Sequence, residues 1–172
     1  MDPTIETLNV LLALGGIACF LGAAVLAFDL YTNRALEAVV ASWGMAFAFL
    51  LTLGVSTLTL VYSEIFGFVP CGLCWLQRIF LYPQVFILGT GLFIKEKTAV
   101  LYALVLSVPG FIIALYQHWL QLGGAEFLPC PAAGGDCARR ILFEFGFMTF
   151  PLMSAGVFLL LIVLYFYILK TR

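Results

Sequence analysis

Apolar residues fall along this chain in long blocks, not in strand-like alternation. Five blocks stand out: Leu8–Ala27, Val39–Val61, Ile79–Phe93, Thr98–Tyr116 and Phe147–Leu169. Polar or charged stretches separate them, running from Asp29 to Glu37, from Ser63 to Cys74, through Lys95-Glu96-Lys97, and from His118 to Glu144. An α-helix needs ~20 apolar residues to cross a bilayer. The third block is the shortest and is expected to extend back through Cys74–Arg78. Open sheet edges cannot sit in lipid, so each block is read as a helix. The prediction is an all-α integral membrane protein with five spans, no internal repeat and no low-complexity linker.

The first block has the length of a signal peptide, but its flank carries Asp2 and Glu6 and no Lys or Arg. A signal peptide has a basic leading region, so the block is expected to be a retained helix. Gly15-Gly16, Ala18, Gly22 and Ala23-Ala24 give it a small-residue face suited to close helix packing in lipid. Small residues are also common in membrane helices at large.

Composition agrees with the pattern. Of 172 residues, 64% are hydrophobic and 10% charged, against about 45–50% and about 25% in soluble domains. A soluble single domain is excluded, and a disordered chain with it. Eight Lys and Arg against nine Asp and Glu give a net charge of -1. No basic stripe exists to neutralise phosphates, which excludes nucleic-acid binding.

Loop charge sets an orientation. Arg34, Lys95, Lys97, Lys170 and Arg172 fall on one side of five spans. The other side holds the acidic N-terminus and the two longer loops, with Arg139 and Arg140, while Arg78 lies at the membrane edge. The positive-inside rule then puts the C-terminus in the cytoplasm and the N-terminus outside.

Five cysteines are present. Cys19 lies mid-span, where a thiol commonly serves as a small packing group. The other four form two loop pairs, Cys71-Gly-Leu-Cys74 and Cys130-Pro-Ala-Ala-Gly-Gly-Asp-Cys137. Two spans separate the pairs, so both must open on the same face. By the charge rule that face is extracytoplasmic, where disulfides persist.

Several chemistries fit two such pairs. Two structural disulfides are one, although Cys-x-x-Cys closes a very short loop and makes a poor staple. A four-thiolate zinc site is another, but the six-residue gap of the second pair exceeds the usual spacing. Unrelated free thiols are a third. The fourth is a relay in which two dithiol–disulfide couples exchange electrons.

Residues around the first pair favour the relay. Pro70 precedes Cys71, and Trp75-Leu76-Gln77-Arg78 leads into the span. A helix that starts near Cys71 or Leu73 places Cys74 in its first turn, where unpaired N–H groups favour a thiolate. Arg78 lies one turn further on the same face; alone, it would simply snorkel to lipid headgroups. His118, the single His, shares this membrane face. It could bond a quinone-like carbonyl or move a proton, or serve as an interfacial belt residue.

These residues resemble the disulfide bond formation protein B family (DsbB, with the similar BdbC proteins). The likeness is carried by Cys71-Gly-Leu-Cys74-Trp-Leu-Gln-Arg78-Ile79 with Tyr82-Pro83, by Tyr116-Gln-His118-Trp-Leu-Gln121, and by Gly135-Asp136-Cys137 with Phe145-Gly-Phe-Met-Thr-Phe-Pro151. It spans roughly residues 37–169. The resemblance implies a DsbB-like four-helix bundle over residues 37–172, with residues 1–36 as an extra N-terminal helix and loop. It implies a thiol oxidase of the prokaryotic plasma membrane. Such a protein reoxidises a DsbA-like thioredoxin-fold partner and passes electrons to a membrane quinone, ubiquinone or menaquinone, without a metal. By position, Cys130 and Cys137 would meet the partner, with Cys130 forming the mixed disulfide. Cys71 and Cys74 would be the quinone-proximal pair, with Cys74 contacting the quinone, Arg78 helping to bind it and His118 near it. The loop between Cys130 and Cys137 is short beside the larger bacterial members. Quinone reductases of the vitamin K epoxide reductase type are the nearest rival, but they place the loop pair first and Cys-x-x-Cys last.

The second loop, with Gly123-Gly124, Pro129, Pro131 and Gly134-Gly135, is expected to move between the partner and Cys71. Arg139-Arg140-Ile141-Leu142-Phe143 is expected to lie on the membrane surface and tether it. Thioredoxin-fold dithiols span potentials of about −270 to about −120 mV. Reoxidising the most oxidising of them calls for an acceptor of still higher potential, a requirement that a quinone meets.

Overall fold

The computed structural model describes residues 3–32, 34–127, 130 and 136–171. Asp2, Pro129, Pro131, Gly134-Gly135 and Arg172, which entered the sequence argument, lie outside the described residues. Five helices follow one another: α1 (Pro3–Tyr31), α2 (Glu37–Leu60), α3 (Gly72–Ile94), α4 (Thr98–Gln121) and α5 (Phe150–Lys170). A π-helical turn, Val61–Ile65, extends α2. All five helices are long and apolar enough to cross a membrane, as the pattern of apolar blocks predicts.

The helix ends differ from the apolar blocks for local reasons. α3 does reach back past Arg78. It begins where Cys71, in extended backbone (φ −74°, ψ 171°), accepts the Cys74 N–H on its Sγ at 3.4 Å. α5 starts three residues later than its block, because Phe145 and Gly146 take positive φ and Thr149 caps the helix. The Thr149 hydroxyl accepts the Leu152 N–H at 3.3 Å, and Pro151 sits in the first turn, where its missing N–H costs nothing. α4 runs five residues beyond its block, so Gln117, His118 and Gln121 are helical. It closes on Gly123 (φ 94°), with the Gly124 N–H returning to the Trp119 carbonyl, a left-handed glycine stop.

α5 is the most buried helix and forms the centre of the bundle. α1, α2 and α4 all pack on it, while α3 packs between α2 and α4. The small-residue face of α1 makes the α1–α5 contact: Gly16 lies against Met153, Gly22 against Leu160, and Gly156 against the Gly16 carbonyl and the Phe20 ring. Backbones that approach this closely gain dispersion contacts, which replace the hydrophobic effect as the glue between helices in lipid.

Two polar clusters bind the helices where lipid offers no alternative partners. Midway along the bundle, Gln84 donates to Phe80 O at 2.9 Å and accepts from Tyr165 Oη (2.8 Å) and Ser107 Oγ (3.3 Å). This joins α3, α4 and α5, and all three side chains are fully buried. Near the other end of α1, the Asp29 carboxylate accepts the Ala35 and Leu36 N–H groups (3.0 and 3.1 Å) and the Tyr167 hydroxyl.

Candidate thiol-exchange site

Both cysteine pairs come to the same end of the bundle, as the count of crossings requires. Cys71, Leu73, Leu120 and Cys137 form one buried cluster, against which Cys74 and Cys130 pack. Cys130 and Cys137 are joined by a disulfide. Cys71 and Cys74 are thiols whose sulfurs lie 3.0 Å apart. Contact with Cys74, and then burial, push the Cys71 thiol above its ordinary range.

A residue that sequence reasoning did not single out sits on this couple. Gln117, 1% exposed, donates through Nε2 to Cys71 Sγ at 3.1 Å and to Cys74 Sγ at 3.3 Å. Its Oε1 accepts from Gln77 Nε2 at 2.6 Å and lies 3.8 Å from Cys74 Sγ. The available signal is a glutamine one turn before the end of α4, in a polar run with His118 and Gln121 that faces the cysteine side of the bundle.

Arg78 is 8% exposed. Nη2 donates to the Thr59 carbonyl at 2.8 Å and Nη1 to Ser63 Oγ at 3.3 Å, with the guanidinium 5.1 Å from the Trp75 ring centroid. It clasps the end of α2, where the π turn begins, and does not snorkel. Tyr82 makes a parallel contact, its hydroxyl 2.8 Å from Thr59 Oγ1. Among the described residues, no carboxylate forms an ion pair with Arg78.

The structure does not bring His118 to the sulfurs. Its Nδ1 lies 2.9 Å from Thr149 Oγ1, the cap of α5. The Arg139–Phe143 stretch is irregular and is tied to the end of α4. Gln121 Nε2 donates to Arg139 O at 3.0 Å, Arg140 Nε donates to Gln121 O, and Leu142 is buried. Around Cys137, the Asp136 carboxylate accepts the Ala138 N–H at 2.9 Å. The Cys130 N–H donates to Glu126 Oε1 at 2.8 Å.

A cleft of about 350 Å³ opens beside the sulfurs. Phe66, Phe68 and Phe150 supply aromatic walls, and Cys71, Cys74 and Gln117 line its inner side. Gln121 also lines it, and the buried Gln121 Oε1 has no hydrogen-bond partner among the described residues. Aromatic walls beside a reactive sulfur suit a planar ring, and the unpaired Gln121 acceptor suits a hydroxyl donor such as that of a reduced quinone rather than a carbonyl oxygen. Among the described residues, no group of three or more His, Cys, Asp or Glu is placed to hold a metal ion.

Fold and site together define a multi-pass membrane protein that carries two adjoining cysteine couples at one end. The family model for "Disulfide bond formation protein DsbB" matches residues 41–168, and the chain belongs to that family, whose role is disulfide-forming oxidoreduction in membranes. It is 44% identical over 103 residues to the SPbeta prophage-derived disulfide bond formation protein B of Bacillus subtilis, covering 60% of this chain and 70% of that one. It is 36% identical over 137 residues to a probable disulfide formation protein C of Bacillus cereus, covering 78% and 94%. Disulfide bond formation protein C of Bacillus subtilis is 36% identical over 108 residues, covering 61% and 77%. No solved structure matches the chain. α1 lies ahead of the matched residues.

Proposed function

We propose that this protein reoxidises a DsbA-like thioredoxin-fold dithiol on the extracytoplasmic face of a prokaryotic plasma membrane and passes the electrons to a membrane quinone. The observation that carries this reading is the packing of both cysteine couples into one cluster beside a cleft that fits a quinone. Residues 37–172 supply the catalytic bundle and residues 1–36 an added helix and loop. The C-terminus is cytoplasmic and the N-terminus outside.

The partner's thiolate attacks Cys130, forming a mixed disulfide and releasing Cys137 as a thiolate. The partner's second thiol resolves that bond and leaves as a disulfide, and Cys130 and Cys137 now hold two electrons and two protons. Their dithiol reduces Cys71–Cys74 in the same way, restoring the Cys130–Cys137 disulfide. The buried cluster keeps the four sulfurs within one small volume, which replaces a diffusional encounter with local exchange. A bound quinone, ubiquinone or menaquinone, supplies the acceptor for two electrons and two protons. Cys74 borders the cleft at the helix start, and Arg78, one turn on, contributes positive charge beside it. His118 acts through Thr149, steadying the start of α5 and with it Phe150.

The test uses purified protein in lipid nanodiscs with a reduced thioredoxin-fold partner and a soluble quinone. Quinone reduction dependent on partner is expected, and it disappears in Cys74→Ser. Undiminished turnover in Cys74→Ser sinks the reading.

A further inference from the structure

We propose that Gln117 is a catalytic residue of the Cys71/Cys74 couple: its carboxamide holds both sulfurs and makes the couple a stronger oxidant. The inference rests on the assignment of Cys71 and Cys74 as a working redox pair.

Three observations carry it. First, one Nε2 lies within hydrogen-bond reach of both sulfurs, at 3.1 and 3.3 Å. Second, the amide network is consistent with that role: Gln77 Nε2 donates to Gln117 Oε1 at 2.6 Å, which leaves the Gln117 nitrogen turned toward the cysteines. Third, the group is buried, which makes a hydrogen bond to a charged acceptor stronger than in water.

Chemistry follows from that geometry. A disulfide sulfur is a weak acceptor and a thiolate a strong one, so the Nε2 donor stabilises the reduced couple more than the oxidised one. A couple whose reduced form is stabilised is the stronger oxidant. When Cys74 is protonated, its S–H can turn to Gln117 Oε1 at 3.8 Å. The amide thus answers both protonation states without moving. Gln77 hydrogen-bonds Gln117 and acts as a positioning residue through it.

The experiment needs neither partner nor quinone. The full chain in nanodiscs is equilibrated in glutathione redox buffers, and each cysteine is quantified by alkylation and mass spectrometry. In Gln117→Leu, half-reduction of Cys71–Cys74 should require a buffer roughly tenfold or more reducing, the scale set by a lost hydrogen bond to a charged group. The pH midpoint for alkylation of Cys74 should rise. The isosteric Gln117→Glu, which fills the same space without the donor, should shift both readouts in the same direction and serves if the leucine variant does not fold. Gln77→Leu should give a smaller shift of the same sign. The Cys130–Cys137 equilibrium should stay at its wild-type value and reports correct folding. If the folded Gln117 variants keep the wild-type equilibrium and alkylation profile, the proposal is overturned. A wild-type protein that fails to reduce quinone while the Gln117 variants still shift the couple would overturn only the proposed function.

Discussion

The Arg78 guanidinium reaches across from α3 to the Thr59 carbonyl of α2 at 2.8 Å, and its second nitrogen bonds Ser63. One residue therefore places a buried cation next to Cys74 and also fixes the end of α2. Arg78→Ala should cost about 1.5–3 kcal/mol of stability, the range for hydrogen bonds to a charged group. Arg78→Lys keeps the charge but has no planar fork to span both acceptors, so it should fall between wild type and alanine. Unfolding in detergent checks the order. Quinone titrations on the folded lysine variant separate the charge from the clasp, and an unchanged KM is expected where charge alone is used.

The same residue shows what was legible in sequence. Its position one turn after Cys74 follows from helical spacing, and the placement of both cysteine pairs at one end follows from counting spans, although their burial in one cluster does not. The acceptors for Arg78 come from the end of the neighbouring α2 and the π turn that extends it, and no local pattern announces such a turn. Gln117 escaped notice for a similar reason. Gln117 lies inside the Tyr116–Gln121 stretch, but a neutral amide has no charge or redox chemistry to single it out, and its meaning comes only from the contact of α4 with α3. The contact of His118 with Thr149, at the end of the irregular stretch before α5, is likewise set by tertiary packing and has no local signal. Periodicity reads elements and parity well, whereas side-chain partners depend on which helices become neighbours.

Gly110 tests the central packing. A Cβ there would lie 2.5 Å from Phe158 Cζ, with two more ring atoms under 3.0 Å. Phe158 is 1% exposed and cannot step aside. Gly110→Ala should destabilise the bundle by about 1–3 kcal/mol, the usual cost of overpacking a core. Gly54→Ala, where nothing lies within 4 Å, should leave the unfolding midpoint unchanged or raise it slightly.

His118 bonds the residue that caps α5, not a sulfur. His118→Ala should cost about 0.5–1.5 kcal/mol of stability, the worth of an ordinary hydrogen bond, and should leave the redox equilibrium of Cys71–Cys74 unchanged. Thr149→Ala should cost about 0.5–2 kcal/mol, because it removes the cap itself as well as the contact with His118. The two effects should not add, since the variants share one interaction. A fall in the Cys71–Cys74 equilibrium in His118→Ala would instead show that the ring acts on the couple.

α1 reaches the cleft through one hydrogen bond. Asn9 is 2% exposed and accepts the Tyr62 hydroxyl on Oδ1 at 2.7 Å. Tyr62 belongs to the π turn and meets the rings of Phe66, Phe68 and Phe150, with centroids 5.4, 5.9 and 5.0 Å away. Those three rings form the aromatic wall of the cleft. Asn9→Leu strands a buried hydroxyl, which should cost about 1–3 kcal/mol. The hydroxyl can escape only if the Tyr62 ring turns, and that displaces the wall. KM for a soluble quinone should therefore rise more than kcat falls. Adding Tyr62→Phe removes the stranded hydroxyl and leaves the ring. The double variant should then be more stable than Asn9→Leu alone, with KM returning toward wild type. If α1 were only a lipid-facing appendage, Asn9→Leu would change neither stability nor KM, and the double variant would differ from it only by the loss of the hydroxyl.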